Sequence, residues 1–378
     1  MKKLYVLIAL ILLCLCGCSQ GGQTAVTPEA DRENTEVDKT EENKTEDVSD
    51  ENQKDTVHMR AQYSDKVLDR SKVKGKFGVY FIGSDVHYTS YSYSQKGGDC
   101  VFLIAPDGTT MLYDTHKPLS TAHVVYSLQR LGVKKIDYYV NTHPHVDHMG
   151  GFSLIARHFD IGHVYLPGAK DSYENPEEGG STAAMMKEIK EKEIPYSYLV
   201  EGDSFKFSPE IDVKVYNPPA DMDFANINPN EWSLTFKFTY KKSTVLLAGD
   251  LGNNEAKMGR ASESELVAKY GSELQADVSK CNHHGDGNVN GNTMAGSKEW
   301  VNTVNSKIYV AQNNQFTDEK NYFTHTATGA EVYHTGLDGT VLVYTSGDGT
   351  YDVQLEMERN NPEYFGETGA KKGYLKVR

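Results

Sequence analysis

Ile136-Asp137-Tyr138-Tyr139-Val140-Asn141-Thr142-His143-Pro144-His145-Val146-Asp147-His148-Met149-Gly150-Gly151 is the stretch on which the fold turns. Residues 136–140 have the β-branched and aromatic content of a strand. The six positions 143–148 then hold three imidazoles and a carboxylate, and two glycines close the run. Imidazole is the commonest metal ligand, and a strand that passes into a helix start lets alternate side chains converge. His143 and His145, two residues apart, can share one ion, while Asp147 and His148 project toward a second. Two ions roughly 3.5–4 Å apart can hold a bridging hydroxide and clamp an in-line displacement. A chance histidine-rich surface loop would need neither the strand before it nor the glycines after it.

Working outward, short β-type runs alternate with helical ones, the pattern of an α/β protein. On the N-terminal side a strand is expected at 77–82, a Tyr/Ser-rich polar loop at 86–96, and a hairpin of 100–105 and 109–113 across Pro106-Asp107-Gly108. A helix follows over 119–131 with Gly132 at its end. On the C-terminal side come a helix (152–158), a strand (163–166), a Gly/Pro/Glu loop, a helix (182–193) and four strand runs between 196 and 240. The apolar run 244–248 ends at Gly249-Asp250. A helix is expected over 254–270, then the run 278–281 leads into His283-His284-Gly285. Strands at 307–311, 331–334 and 340–344 and a hairpin through Gly347-Asp348-Gly349 complete the body, with no fixed-period repeat.

His-x-His-x-Asp-His after an apolar strand resembles the signature of the metallo-β-lactamase superfamily. The resemblance implies a four-layer αββα sandwich with two metals at one edge, and Asp250 then looks like the bridging aspartate. His283 and His284 fall where the last histidine of the second metal position is expected. The residue before Gly285 is similar to the His-Gly ending of many members, which favours His284 without removing His283. More narrowly, the chain is similar to the soluble domain of the DNA-uptake channel protein ComEC and its secreted relatives. The residues that carry this are Gly98-Asp99-Cys100-Val101-Phe102-Leu103-Ile104, Tyr113-Asp114-Thr115, the stretch 142–151, Ser233-Leu234-Thr235-Phe236, 246–250, His283-His284-Gly285 and Thr335-Gly336-Leu337-Asp338-Gly339. They span 97–345.

The departures matter as much. Asp286 stands where the family commonly has serine, and His145 stands where the ComEC type often has aspartate. The channel portion is not in this sequence, so a transport role is not carried over. Between His148 and Asp250 the histidines are His158 and His163, and neither follows the strand-end pattern of the family's third site-one histidine. Site one would then hold His143, His145, Asp250 and water, an open shell that accommodates Mn²⁺ as well as Zn²⁺. Asp99 and Asp114, at loop ends near the metals in the family, are read as orienting partners of the ligands. The plainer reading of each is a turn-forming aspartate.

The ends bound where such a domain works. Lys2 and Lys3 precede an apolar run, 4–13, too short for the roughly 20 residues of a spanning helix. It closes on Leu15-Cys16-Gly17-Cys18-Ser19, similar to a bacterial lipobox. Residues 1–18 are therefore read as a lipoprotein signal, with Cys18 lipidated and the protein held outside the cell membrane. Residues 19–56 read as a solvated acidic tether, since between Glu29 and Asp55 twelve Asp and Glu face four Lys and Arg with no aromatic residue. Of the net −14, about −8 remains for the 57–378 domain, which does not advertise a broad grip on nucleic acid. Cys100 and Cys281 could bridge in an exported protein, but each lies in an apolar run where a buried thiol is the expected state.

These residues point to hydrolysis by a metal-bound hydroxide, with Asp147 and Asp250 orienting it and taking its proton. Nucleic-acid phosphodiesters lead as substrate through the ComEC resemblance. Choline-phosphate or teichoic-acid esters of the envelope are the rival, favoured by location and by the lack of a basic face. β-Lactam hydrolysis fits less well, because the familiar zinc β-lactamases have cysteine where Asp250 stands. A lipoprotein that binds without catalysis is the non-enzyme alternative, and the loop Tyr88-Thr89-Ser90-Tyr91-Ser92-Tyr93 could serve it.

Overall fold

Val101-Phe102-Leu103-Ile104 is buried at every position. A strand with one wet face alternates, so a strand buried on both faces must lie inside a layered structure. The computed structural model describes residues 65–84, 97–285, 288–289, 292–293, 295–312 and 324–357. All of these fall within Glu51–Arg378, which is described by itself. The signal, the Cys18 lipobox, the acidic tether, the tyrosine loop 88–93 and Asp286 lie outside the described residues.

The strands run β1 (Phe77–Phe81), β2 (Val101–Ile104), β3 (Thr110–Tyr113), β4 (Lys135–Val140), β5 (Asp160–Pro167) and β6 (Tyr196–Leu199). There follow β7 (Ser204–Ser208), β8 (Ile211–Asn217), β9 (Thr235–Tyr240), β10 (Ser243–Leu247) and β11 (Val278–Lys280). A short ribbon of β12 (Asn288–Val289) and β13 (Asn292–Thr293) precedes β14 (Ile308–Ala311), β15 (Glu331–His334), β16 (Val341–Thr345) and β17 (Asp352–Leu355). One sheet has the order β17-β16-β1-β2-β3-β4-β5-β6, the other β15-β14-β11-β10-β9-β8-β7.

The period-2 alternation of each strand decides which layer it faces. Phe77, Val79, Phe81, Val101 and Leu103 turn toward Phe207, Phe236, Phe238, Val245 and Leu247, so one core lies between the sheets. Tyr80, Phe102 and Ile104 turn the other way, onto helices α1 (Pro118–Arg130), α2 (Val146–Met149), α3 (Phe152–His158), α4 (Lys170–Glu174) and α5 (Ser181–Glu191). Leu246, Tyr309 and Ala311 cover the outer face of the second sheet with Leu266, Trp300 and Val301. Those last three come from α7 (Ser262–Tyr270) and α8 (Lys298–Val304), which follow the short α6 (Glu255–Met258). Four layers result, αββα, as expected.

Three local expectations need correction. The helix expected over 254–270 is two helices, because Gly259 takes a left-handed φ of +75° and its N–H closes on Glu255 O. The strand expected at 163–166 extends over Asp160–Pro167, carried by parallel pairing with β4. The Gly/Pro/Glu loop contains α4, and α9 (Thr335–Asp338) follows β15. Cys100 and Cys281 are free and buried, not bridged. Burial pushes the Cys281 thiol up to about 12, so it is chemically quiet.

Candidate metal centre

One edge of the sandwich gathers the chemistry, because β3, β4 and β5 run parallel in one sheet and β10, β11 and β14 in the other. Their C-terminal ends therefore open side by side, the place where α/β sheets present their loops. β4 delivers His143 and His145 and then α2, which carries Asp147 and His148. Asp114 follows β3, Asp250 follows β10, and His283 and His284 follow β11 in a 3₁₀ turn, His283–Gly285. Asp99 arrives just ahead of β2, and its N–H donates to Asp147 O. Gly98 permits that approach, since a Cβ there would stand 1.9 Å from Asp147 O. Gly249 (φ +52°) likewise packs against Ser233 and Thr142, where a Cβ would meet Ser233 Oγ at 2.8 Å.

Asp250 Oδ2 is the focus. His148 Nε2 lies 3.1 Å from it, His284 Nε2 3.2 Å, His283 Nε2 3.7 Å and His143 Nε2 3.9 Å. His145 Nδ1 is 3.0 Å from His143 Nε2, and Asp147 Oδ2 is 3.5 Å from His284 Nε2. Two ligands at 2.0–2.1 Å from a tetrahedral ion stand about 3.3 Å apart, so these separations suit side chains facing a shared cation. Asp99, His148, Asp250 and His284, all buried, offer donor atoms within 4.8 Å of one another. Neither His148 Nε2 nor Asp250 Oδ1 finds a well-formed hydrogen-bond partner, and buried polar atoms are seldom left so without reason.

Carboxylates and hydroxyls fix the rings from behind. Asp114 Oδ2 lies 2.7 Å from His148 Nδ1 and accepts from Thr142 Oγ1 at 2.8 Å, while its Oδ1 accepts from Thr142 N. Asp99 Oδ1 lies 2.8 Å from His284 Nδ1. With Nδ1 bound to a carboxylate, Nε2 of each ring is left to face Asp250. His143 Nδ1 meets Thr142 Oγ1 at 2.9 Å and Ser233 Oγ at 3.3 Å, and Asp250 N donates to Ser233 Oγ. Both aspartates expected to orient ligands thus stand behind imidazoles, and Asp99 also reaches into the cluster itself.

The charges answer one another. Burial alone would raise Asp250, but His148, His284 and His283 outweigh it and hold its carboxyl well below the usual range. Burial would lower His148 and His284, yet Asp250 with Asp114 or Asp99 lifts both imidazoles well above theirs. His143 goes the other way, pushed well down by burial and by its neighbours His148 and His145. A pocket that draws protons onto two imidazoles is one where a divalent cation meets the same demand.

Sequence reasoning missed Lys280. Its buried ammonium lies 2.5 Å from Asp99 Oδ2 and 3.8 Å from Asp250 Oδ1, and donates to Gly249 O (2.7 Å) and Cys281 O (3.0 Å). The signal was a lone lysine inside an otherwise buried strand. His163 bonds Ser197 Oγ and His158 ends α3 beside Phe159, so neither is among the groups facing Asp250.

A sequence model of the metallo-beta-lactamase superfamily matches residues 97–286, half of the chain, and the protein belongs to that superfamily. Among solved structures it is similar to the metallo-beta-lactamase fold protein YhfI from Bacillus subtilis, at 11% identity over 71% of this chain and 100% of that one, with a TM-score of 0.45. It is also similar to CmlA, a diiron beta-hydroxylase from Streptomyces venezuelae, at 12% identity and a TM-score of 0.42. That match covers 74% of this chain and 54% of the other, so the chain spans about half of CmlA's length. MEM-A1, a subclass B3 metallo-beta-lactamase isolated from a soil metagenome library, matches at 17% identity over 50% and 75% of the two chains, with a TM-score of 0.34. No curated protein sequence matches.

Proposed function

We propose that this protein is a metal-dependent hydrolase of phosphodiesters, anchored through a lipid on Cys18 at the outer face of the cell membrane. The observation that carries the hydrolase reading is the convergence of four imidazole Nε2 atoms within 3.9 Å of Asp250 Oδ2 at one edge of the sandwich. His143, His145, Asp147, His148, Asp250 and the 283–284 pair would hold two divalent ions, Zn²⁺ or Mn²⁺. Ions there would bring the pKa of water toward neutrality and polarise an ester oxygen.

The chain's own groups do the rest. Asp147, with its side chain a quarter exposed, is the carboxylate nearest solvent and orients the incoming water by accepting its hydrogen bond. Although burial opposes it, contacts with His284 and His148 hold Asp147 ionised, so it is always ready as an acceptor. Asp250 keeps the imidazoles facing one point, and Asp99 and Asp114 hold their tautomers.

Phosphodiesters suit a clamp of two cations, and the ComEC resemblance favours nucleic acid among them. The proposed location outside the membrane and the lack of a basic block favour instead an envelope phosphodiester, such as a choline-phosphate or teichoic-acid ester. A panel of single-stranded DNA, RNA, bis-p-nitrophenyl phosphate, choline-phosphate esters and a cephalosporin, with Zn²⁺ and Mn²⁺ supplied separately, tests both. Turnover of at least one phosphodiester, lost by at least a hundredfold in Asp250→Ala, is expected. Cleavage of the cephalosporin alone, or equal rates with the variant, removes the proposal.

A further inference from the structure

Successive residues of an extended chain point to opposite sides. His283 and His284 do not. Both adopt left-handed backbone, φ +46° and +59°, a region that is costly for non-glycine residues and persists where surrounding structure imposes it. The imposition is visible: His283 N donates to Gly249 O, Gly285 N donates to Asn282 O, and Asn282 Nδ2 donates to Glu263 Oε1. The result is two rings 5.6 Å apart, inclined by 36°, with both Nε2 atoms facing Asp250 Oδ2.

The two rings then part company. His284 belongs with Asp147 (3.5 Å), with His148 (ring centroids 5.1 Å apart) and with Asp99. His283 Nε2 instead faces Asn230 Nδ2 at 3.4 Å and Asp250 Oδ2 at 3.7 Å. His143 Nε2 and His283 Nε2 stand 3.9 and 3.7 Å from the same Asp250 Oδ2, and His145 Nδ1 is 3.0 Å from His143 Nε2. His143 and His145 are the pair that lack a third imidazole from the 149–249 segment. Beside His283, Asn230 is buried and its Oδ1 has no hydrogen-bond partner, so its amide is able to turn an oxygen toward that ring's Nε2 side.

We propose that the adjacent histidines serve different metal positions: His284 completes the one built on Asp147 and His148, and His283 completes the one built on His143 and His145, with Asp250 Oδ2 facing both. His283 thus stands in for the histidine that the intervening sequence does not supply, and Asn230 is the neutral oxygen beside it. This rests on the metal-dependent reading above but not on its choice of substrate.

The full-length protein, stripped with chelator and titrated with Zn²⁺ or Mn²⁺ by calorimetry and elemental analysis, is expected to take up two ions per chain. Asparagine tolerates left-handed backbone, so His283→Asn and His284→Asn keep the turn. Each single variant is expected to lose one binding step by at least tenfold. His143→Ala combined with His283→Asn should still hold one ion, whereas His283→Asn with His284→Asn should hold none. Unchanged two-step binding in His283→Asn, or a 283/284 double variant no worse than His284→Asn, overturns the proposal. A wild-type measurement guards against variants that fail to fold: ¹⁵N-histidine protein loaded with ¹¹³Cd should show five coupled imidazoles, and four with His283 silent overturns it equally. Two bound ions without phosphodiester turnover would sink the preceding functional reading and leave this one standing. No uptake by the wild type would sink both.

Discussion

Lys280 shows how one buried side chain can tie a site together. Its ammonium meets Asp99, and through Gly249 O and Cys281 O it holds the segments that lead into Asp250 and His283. Burial would raise Asp99, but Lys280 and then His284 keep that carboxyl below its ordinary range. Lys280→Met would leave a buried carboxylate without its nearest cation, a loss of about 3–5 kcal/mol. Urea unfolding of the metal-free protein should show it, and a variant as stable as wild type would remove this role. The candidate ligands His143, His145, Asp147, His148, Asp250 and the 283–284 pair were legible in the sequence because they cluster just past the apolar runs 136–140, 244–248 and 278–281. Lys280 was not, because in a strand of three residues a lysine looks like a chance polar position. Nor was the distinction between His283 and His284, which depends on backbone torsion that letters do not carry.

At the scale of elements, strands buried on both faces were the most legible, since their unbroken apolar runs admit few other states. Helix ends were less so. Nothing in 254–270 distinguishes a glycine tolerated inside a helix from one that ends it, and only the packed chain selects left-handed Gly259. The 3₁₀ turn Pro229–Trp232 was missed altogether, and it carries Glu231, fully buried. Glu231 Oε2 accepts from Ser262 N, while Oε1 has no partner. Burial pushes this carboxyl up to about 7, with Glu263 adding to the rise. The folded protein therefore binds a proton that the unfolded chain releases near the ordinary 4.5. The sign follows: this stabilisation is complete below about pH 4.5 and is lost as pH rises through about 7. Glu231→Gln should flatten the fall in melting temperature over that window, by as much as about 3 kcal/mol of stability. Parallel melting curves for variant and wild type across the window would show that the carboxyl does not titrate there.

At the scale of the molecule, fold class followed from the alternation of runs, and the four layers from the resemblance built on the histidine stretch. The proposed attachment to a membrane rests on the first residues of the sequence. Among the described residues no helix is long and apolar enough to cross a membrane. The proposed lipid anchor is Cys18. Cys18→Ser should shift the protein from the membrane fraction of cells to the soluble fraction, and unaltered fractionation would end the lipid-anchor proposal. The eight-stranded sheet supplies Asp99, Asp114 and the donors of 143–148, while the other supplies Asp250, His283 and His284. Neither half owns the site. Under the proposed function, a nascent or clipped chain carrying every imidazole of the first half would still lack Asp250 and the 283–284 pair, so ion uptake would double as a certificate that the two leaves have closed upon each other.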